Sequence, residues 1–370
     1  MSDFLVIGGG ALGLLTTREI ASSDATVEVI DAGVAGREAS WAGGGIISPL
    51  RPWEEAAAVL RLWRWSEARF PTAAGQLHDE TGIDPQWSRC GLLYHLAGQD
   101  FGIAAQWYEN NDVKIEKTAP ESNAPAESIS CPPGYSALFL PDIAHIRNPR
   151  LLRALRRSLD LSRNVSIREN AAARTLHVEN DLVTHGVLEN GEHIQAQRFI
   201  VTAGAWSPQF LDAIPPPIPT IEPVKGQMVA FAARPGLLPH MVYRDGRYLI
   251  PRMDGTILAG STVEHAGFDK HPTPEALDVL RNFAIETLPV LRHVAVTHHW
   301  AGIRPGSPGG IPYIGPHPAI RNLYFNCGHF RNGLATSLAS ARLLADILLQ
   351  RTPAMPAEPY ALDAPRPTGP

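Results

Sequence analysis

The sequence has few cysteines and no segment suited to crossing a membrane. Its three cysteines, Cys90, Cys131 and Cys327, are far apart and form no C-x-x-C pair, which predicts free thiols in a reducing compartment. The longest apolar run, residues 5–15, contains four glycines and is too short to span a bilayer. Because no signal peptide precedes the first predicted strand, we expect a cytoplasmic protein.

A strong charge of either sign is absent as well. The formal net charge is -5 and no block of Lys and Arg stands out, so neither nucleic acid nor a membrane surface is an expected partner. His298 and His299 are adjacent in a predicted strand and point to opposite faces, which excludes a two-histidine metal clamp there. We therefore expect no metal site. At 370 residues, the chain is long enough for two packed lobes.

One stretch near the start carries the clearest signal. Residues 4–7 are apolar like a buried strand, residues 8–13 read Gly-Gly-Gly-Ala-Leu-Gly, and the residues after them have the pattern of a helix. This is G-x-G-x-x-G in the strand, turn and helix setting of a dinucleotide site. The helix N-terminus would present free N–H groups to the phosphates.

Each glycine of this motif has a physical reason. Gly8 permits the tight turn, Gly10 lets the backbone approach a pyrophosphate, and Gly13 lets the helix pack closely on the strand. A second predicted strand, residues 25–30, ends at Asp31, where an acid is expected to bind ribose hydroxyls.

Two further glycine clusters need an explanation. Residues 36–49 are rich in glycine without the periodicity of a strand. They form either a flexible surface loop or a backbone that passes flat against a planar group. Residues 198–207 again read as strand, glycine turn at Gly204 and capped helix, which brings a second backbone edge to the same ligand.

The pattern of elements predicts an α/β protein whose second lobe is α+β. We expect a Rossmann-like dinucleotide-binding domain built from discontinuous segments and a substrate domain built on an antiparallel sheet. The predicted boundaries are residues 1–85, 140–213 and 300–352 for the first domain and 86–139 and 214–299 for the second. Residues 353–370 are punctuated by proline and are predicted to be a disordered tail.

Five motifs together carry a resemblance to a known family. They lie at residues 8–13, 37–45, 202–207, 300–306 and 328–333. The chain resembles the FAD-dependent D-amino acid oxidase superfamily and, within it, the glycine oxidase family, from residue 4 to about residue 350. The most specific part is G-H-F-R-N-G at 328–333 following W-A-G-I-R-P-G at 300–306.

The resemblance implies FAD as the cofactor. Three separate glycine turns exceed what a nicotinamide dinucleotide needs and suit a long cofactor that crosses a sheet. Beyond Gly8, Gly10, Gly13 and Gly204, the implied cofactor residues are Ala11, Leu12, Asp31 and Ala32 at the ADP half, Ala173 at the adenine, Ala39 and Ser40 at the pyrophosphate, Gly44, Gly45 and Ile46 at the flavin face, and His329, Phe330, Arg331, Asn332, Gly333 and Leu334 along its pyrimidine edge. A helix beginning near Leu334 would direct its positive N-terminus at that edge.

The resemblance also implies a small amino acid as substrate. Arg304 would hold the substrate carboxylate with a planar guanidinium, and Arg331 would lie between the substrate and the flavin edge. Tyr248 matches the family tyrosine that hydrogen-bonds the same carboxylate, while Tyr243 in the same sheet is a rival candidate.

The implied reaction is oxidative deamination of glycine, sarcosine or small D-amino acids by hydride transfer to FAD. It gives a 2-oxo acid and ammonia, dioxygen is reduced to hydrogen peroxide, and thiazole synthesis for thiamin is the implied pathway. The family also suggests a homo-oligomer. Two alternatives stay open: a dehydrogenase that passes electrons to a quinone or partner subunit, and a non-catalytic flavoprotein subunit of an assembly.

Overall fold

A parallel sheet carries the glycine motifs. The computed structural model describes residues 1–118 and 129–367. Within these residues the first large sheet has six strands, of which all but the edge strand Tyr313–Pro316 run parallel. In spatial order they are β18 (Tyr313–Pro316), β19 (Leu323–Cys327), β12 (Ala196–Val201), β1 (Ser2–Ile7), β2 (Val27–Ile30) and β8 (Val165–Arg168). The predicted α/β class and Rossmann-like domain are confirmed.

This sheet is buried on both faces, as the near-continuous apolar strands require. Leu5 and Ile7 point to one face, against a three-stranded antiparallel sheet, while Phe4 and Val6 point to the other, against helices. The three strands are β9 (Ala173–Glu179), β10 (Leu182–Leu188) and β11 (His193–Ile194). The helices on the opposite face are α1 (Ala11–Ala21), α3 (Ala57–Glu67), α4 (Phe70–Thr81), α6 (Asn148–Asp160) and α8 (Ser337–Leu348).

A second large sheet has eight strands and is antiparallel except where β14 pairs with β4. In spatial order these are β17 (Val296–Gly306), β13 (Glu222–Ala232), β16 (Thr256–Gly260), β15 (Arg247–Pro251), β14 (Met241–Arg244), β4 (Leu92–Ala97), β6 (Tyr135–Leu140) and β5 (Glu116–Thr118). One face packs on α7 (Pro274–Thr287) and the other on α5 (Gly98–Asn110). The mostly antiparallel sheet predicted for the second lobe is therefore present.

Short elements complete the described chain. A two-stranded ribbon joins β3 (Ser88–Arg89) to β7 (Ala144–His145), and α2 is a single turn over Ala39–Ala42. The 3-10 turns are Pro52–Glu54, Gly204–Phe210, Pro289–His293, Pro308–Gly310, Phe330–Asn332 and Glu358–Tyr360. The capped helix expected after Gly204 is thus a 3-10 turn, and no side chain caps it.

The predicted domain ranges can be compared with the two large sheets. Every strand of the six-stranded sheet falls in 1–85, 140–213 or 300–352. Strand β17 runs across the boundary at residue 300, because it pairs with β13 from Phe231 to Glu222, with one register shift between Ala230 and Phe231. Its Arg304 end therefore belongs to the second sheet. The division into domains itself stays a prediction.

The expected disordered tail is wrong for the residues that the structure describes. Met355, Tyr360 and Leu362 are buried, and the Tyr360 hydroxyl donates to the Ala58 carbonyl at 2.8 Å. Arg366 lies over the Tyr313 ring, 3.7 Å from its centroid, and donates to the Ile311 carbonyl. The prolines end the regular structure, but the apolar side chains between them still bury against the first sheet. Residues 368–370 of the predicted tail lie outside the described residues.

No helix in the described ranges is both long and apolar enough to cross a membrane.

Candidate functional site

A cavity of about 820 Å³ runs between the two large sheets. It begins where β1, β2 and β12 end, since ligands of parallel sheets bind at the carboxyl ends of the strands. Of the predicted cofactor residues, all but Gly13 line it. These are Gly8, Gly10, Ala11, Leu12, Asp31, Ala32, Ala39, Ser40, Gly44, Gly45, Ile46, Ala173, Gly204, His329, Phe330, Arg331, Asn332, Gly333 and Leu334. Arg304 and Tyr248 line the same cavity.

Gly13 does not line the cavity but packs against the glycine turn that does. A Cβ at this position would overlap the Gly8 carbonyl oxygen and would lie 2.8 Å from the Thr202 hydroxyl. That hydroxyl donates to the Gly8 carbonyl at 2.7 Å and lies 3.1 Å from the Ile7 carbonyl. Gly13 therefore lets α1 approach the turn closely, while Thr202 ties the turn to the neighbouring strand.

Asp31 stabilises the glycine turn as well as lining the cavity. Its carboxylate accepts from the Gly9 N–H and from the Gly33 N–H, each at 2.8 Å. A carboxylate has about four lone-pair positions, so two backbone donors leave capacity for ribose hydroxyls. The predicted ribose contact is compatible with this arrangement.

The N-terminus of α1 is open to the cavity. Its first amide, on Ala11, donates to the Ser40 hydroxyl at 3.0 Å. The side-chain amide of Asn148 donates to the Ser40 carbonyl at 2.7 Å. Asn148 is 2% exposed, yet its own amide oxygen has no hydrogen-bond partner among the residues that the structure describes. The free amides of α1 suit a phosphate. The buried Asn148 oxygen beside them needs a hydrogen-bond donor, which a hydroxyl of the same ligand can supply.

The second glycine cluster crosses the cavity and is held by a buried arginine. A side chain at Gly44 would overlap Ile250, and one at Gly45, which has a φ of +81°, would overlap the Ile146 carbonyl. Arg252 donates to the Gly44 carbonyl at 2.8 Å and to the Ile146 carbonyl at 3.0 Å. The loop therefore presents bare backbone, as the planar-ligand interpretation requires.

Arg252 is a buried cation with no acid opposite it among the described residues. It is 6% exposed, and burial lowers its pKa to about 10, so it stays ionised. Its remaining contact is the Nδ1 atom of His145 at 2.9 Å, which accepts because burial lowers the pKa of His145 to about 3. The backbone at Gly44 thus has a fixed positive charge behind it, which favours negative charge in the cavity.

The predicted pyrimidine edge is a loop, and the following helix begins later than expected. Residues 330–332 form a 3-10 turn, and α8 begins at Ser337 rather than near Leu334. The His329 imidazole pairs with the Ser340 hydroxyl at 3.0 Å, and burial lowers the pKa of His329 to about 3. His329 is therefore neutral, and Arg331 supplies the positive charge of this loop.

The cavity fits FAD in shape and in chemistry. It is lined by backbone at three glycine clusters, and the buried amide oxygens of Asn148 and Asn326 have no partner in the described parts of the chain. A flavin dinucleotide needs this combination of flat passages and scattered polar partners. The individual contacts with the cofactor stay predictions.

Arg304 lies in the second sheet and faces the cavity. It lies over Gly226, where any Cβ would collide with the guanidinium, and it donates to the Ser261 hydroxyl at 2.7 Å. Its other nitrogen donates to the carbonyls of Lys225 and Thr262. No carboxylate pairs with it within residues 1–118 and 129–367. Burial lowers the pKa of Arg304, with Arg331 acting in the same direction and Tyr248 and Glu264 opposing it.

The two candidate tyrosines both reach the cavity. Tyr243 and Tyr248 are direct cross-strand partners in β14 and β15. The Tyr248 hydroxyl lies beside Arg304 and is 3.3 Å from the Met228 sulfur. The choice of Tyr248 as the carboxylate partner of Arg304 agrees with this placement, while Tyr243 lies nearer to Arg51.

The motif before Arg304 joins the two sheets. Trp300 donates from its indole nitrogen to the Ala42 carbonyl at 3.0 Å, and Gly302 lets Ala42 approach. The Trp41 and Trp300 rings meet edge to face at 6.0 Å. Trp300 and Gly302 therefore seat α2, which carries Ala39 and Ser40, against the strand that carries Arg304.

Sequence reasoning missed several residues that line the cavity. Asn148, Asn326, Arg51 and Glu55 are single polar residues in segments with the pattern of ordinary helix, strand or loop. Glu55 accepts from the Asn332 amide at 2.9 Å, and burial raises its pKa. No motif marks these residues. The one weak signal that they carry is a polar residue within three positions of a proline or glycine.

Metal-ligating side chains do not gather anywhere in the described parts of the chain: no group of three or more His, Cys, Asp or Glu residues is placed to hold an ion.

Comparison with known proteins agrees with this geometry. Residues 3–347 match the family described as FAD dependent oxidoreductase. A glycine oxidase of Pseudomonas aeruginosa is 44% identical over 96% of this chain and 97% of its own length. The crystal structure of glycine oxidase from Bacillus cereus covers 95% of this chain and 96% of that chain, with a TM-score of 0.85 and 26% identity. A bifunctional protein ThiO/ThiG of Synechocystis is 28% identical over 95% of this chain, which spans 52% of that longer protein.

A family match across nearly the whole chain and a relative of this identity leave no ambiguity about membership. The resemblance stated from the motifs is confirmed, and so is FAD as the cofactor. The chain belongs to the FAD-dependent oxidoreductase family that includes the glycine oxidases.

Proposed function

We propose that this protein oxidises glycine and other small amines, such as sarcosine and small D-amino acids, with dioxygen as the electron acceptor. The carrying observation is Arg304, a guanidinium without a carboxylate partner among the described residues, which faces the cavity beside Tyr248. The products are a 2-oxo acid, ammonia and hydrogen peroxide. Glycine gives glyoxylate, and the likeness to ThiO/ThiG proteins supports a supply of thiazole precursor for thiamin.

The flavin of FAD supplies the acceptor for a hydride from the α-carbon of the substrate. The protein's own residues bind and orient. Arg304 holds the carboxylate in two parallel hydrogen bonds, and the Tyr248 hydroxyl donates a third. Fixing the carboxylate aims the α-carbon in one direction, and orientation of this kind lowers the barrier by several kcal/mol, roughly 7–11 in the best cases.

Positive charge along the cavity favours the electron-rich state that follows hydride transfer. Arg252 lies behind the Gly44 backbone, and Arg331 lies in the loop proposed to follow the pyrimidine edge. Arg252 is buried and held by the Gly44 and Ile146 carbonyls before the reaction, so its charge needs no reorganisation during it. With hydride transfer from a neutral amine, no side chain has to remove a proton from carbon.

An anaerobic bleaching screen tests the proposal. The purified yellow protein is mixed without oxygen with glycine, sarcosine, D-alanine or D-proline, and flavin absorbance is followed. We expect bleaching by glycine and recovery with hydrogen peroxide when air is admitted. A protein that no amine bleaches would contradict oxidation and favour a structural flavoprotein. Bleaching by glycine that air does not reverse, but a quinone does, would identify a dehydrogenase.

We further propose that the protein acts in the cytoplasm as a homo-oligomer. The family resemblance supports oligomerisation. Light scattering on a sizing column tests it, and a single peak at 40.1 kDa would contradict it.

A further inference from the structure

The substrate end of the cavity contains a second arginine and tyrosine beside Arg304 and Tyr248. Tyr243 and Tyr248 are opposite each other in β14 and β15, so their side chains leave the same face of the sheet, about 5 Å apart at Cβ. Burial raises the pKa of Tyr243, and the neighbouring Arg51 guanidinium opposes that rise. Arg51 and Tyr243 both line the cavity. Two arginine and tyrosine pairs thus lie side by side.

Arg51 lines the cavity beside Glu54 and Glu55, and it already pairs with two partly exposed acids. Its Nη2 atom lies 2.6 Å from Glu54 and 3.0 Å from Asp100, whose side chains are 56% and 40% exposed. The guanidinium also lies over the Trp53 ring at 5.5 Å, and its Nε is buried without a partner among the described residues. Ion pairs with exposed acids contribute little, so a carboxylate arriving from the cavity side can compete for this cation.

The cavity wall next to Tyr243 includes a glycine, Gly246, where an added Cβ would meet nothing within 4 Å. Gly246, at the turn between β14 and β15, lines the cavity without a side chain, next to Tyr243. Glycine itself, held at Arg304, would leave Arg51 unused. The substrate that uses both pairs carries two carboxylates.

We propose that Arg51 and Tyr243 form a second carboxylate subsite, so that the enzyme accepts amino dicarboxylates in addition to glycine. Arg304 and Tyr248 bind one carboxylate and Arg51 and Tyr243 bind the other. The shared chemistry is an amine that carries two carboxylates, either one on each arm as in iminodiacetate or both on one carbon chain as in D-aspartate. This inference rests on the proposed amine oxidation.

The reaction balances with the reactants already named. From iminodiacetate, one methylene carbon gives a hydride to the cofactor and the nitrogen loses its proton, which forms an imine. Water adds to that imine and the carbon–nitrogen bond breaks, releasing glycine and glyoxylate. Dioxygen takes the two electrons and two protons and leaves as hydrogen peroxide.

The test compares glycine, iminodiacetate and D-aspartate in the FAD-loaded enzyme, measuring peroxide for kcat/KM and flavin absorbance changes for binding. In Arg51→Ala we expect affinity for the preferred dicarboxylate to fall about tenfold to a hundredfold, the loss of a charged hydrogen bond, mostly in KM. Tyr243→Phe should show a smaller loss of the same kind. Arg89→Ala is the matched control, since Arg89 also lies 5.5 Å from a tryptophan ring and pairs with an acid, Asp142, but does not line the cavity.

A variant with the opposite sign separates a subsite from a structural tether. Glu54→Gln releases Arg51 from one acid, so dicarboxylate affinity should rise about twofold to fivefold. A tether would instead be weakened by the same change, with glycine and dicarboxylates affected alike.

The outcomes separate the two proposals. Dicarboxylates that neither perturb the flavin nor give peroxide while glycine is oxidised would overturn the subsite. Equal losses for glycine and dicarboxylates in Arg51→Ala would also overturn it. Absence of peroxide with glycine, while dicarboxylate binding still depends on Arg51, would instead contradict glycine oxidation and leave the subsite supported. Preference for iminodiacetate or for D-aspartate identifies which arm reaches Arg51.

Discussion

The two ends of the cavity differ in whether backbone or side-chain atoms line them. At the end near β1, glycine backbone and helix amides line much of the cavity, and the Asp31 carboxylate binds two backbone amides there. At the other end, the wall consists of side chains, above all Arg304, Tyr248 and Arg51, which come from strands and loops far apart in sequence. Backbone contacts suit a cofactor that many enzymes share, whereas discrimination among substrates requires specific side chains.

This difference predicts that the two ends fail independently. Changes at the glycine end should weaken FAD binding and leave the substrate-binding residues in place. Changes at the arginine end should leave the FAD content unchanged and lower the affinity for substrate. Three substitutions, at Arg304, Gly13 and His329, test this separation in order of decreasing expected effect.

Replacing Arg304 should have the largest effect and should be confined to the substrate. Arg304→Ala removes the guanidinium and leaves the space over Gly226 empty. We expect kcat/KM for glycine to fall about a thousandfold, since about 4 kcal/mol of charge-assisted hydrogen bonding is lost at the site of reaction. Steady-state peroxide production measures this loss, and the absorbance of the purified protein measures the flavin content.

The lysine variant sharpens the result. Arg304→Lys keeps the charge but loses the planar fork, so it should recover only part of the activity. Loss of flavin in Arg304→Ala, at unchanged thermal stability, would show that the two ends are not independent.

Replacing Gly13 should have the next largest effect, at the opposite end. A Cβ in Gly13→Ala overlaps the Gly8 carbonyl, so α1 must move and its amides no longer point at the pyrophosphate. We expect FAD affinity to weaken about a hundredfold, the loss of roughly two charged hydrogen bonds. Titration of apoprotein with FAD, followed by flavin fluorescence, gives the dissociation constant.

A glycine in another helix supplies the control. Gly75 lies in α4, where an added Cβ would have nothing within 4 Å, so Gly75→Ala should leave FAD binding unchanged. It should also stabilise the protein by up to about 1 kcal/mol, because alanine has the higher helix propensity. Tight FAD binding in Gly13→Ala would refute the role given to close helix packing.

The same contrast explains how much the sequence could predict. Backbone sites need glycine at fixed spacings, so residues 8–13 and 37–45 can be identified from the sequence alone. The parallel sheet is predicted from the apolar runs at residues 4–7 and 25–30, which lie on either side of a helical pattern. Arg304 and Tyr248 are identified through family motifs rather than spacing, because a lone arginine or tyrosine carries no local signal.

What could not be predicted depends on contacts between distant segments. Arg51 lies at the site beside Asp100 and over the Trp53 ring. Asn148 lies at the site because α6 begins beside Ser40. The prediction for the tail is wrong for a related reason: proline spacing indicates an absence of regular structure, but Tyr360 packs without it. Tertiary contact decides each of these cases.

The smallest predicted effect concerns His329, which lies where the two ends meet. Burial lowers its pKa to about 3, against about 6.5 in an unfolded chain. Between those values the unfolded chain binds a proton that the folded protein does not, so folding stability falls as pH decreases from about 6.5 towards 3. One such histidine costs about 1.4 kcal/mol per pH unit over this range.

His329→Gln should therefore flatten the decrease in stability below pH 6.5, although it lowers stability at pH 7.5 by removing the bond to Ser340. Denaturant unfolding of the FAD-loaded protein at pH 7.5, 6.0 and 5.0 measures the slope, with His293→Gln, at an exposed histidine, as the control. His145 and His95, whose pKa values burial lowers to about 3 and about 4, keep titrating in both variants, so part of the slope remains. An unchanged slope in His329→Gln would mean that water reaches His329 in solution, and the loop at 328–334 would then be open rather than packed against Ser340 of α8.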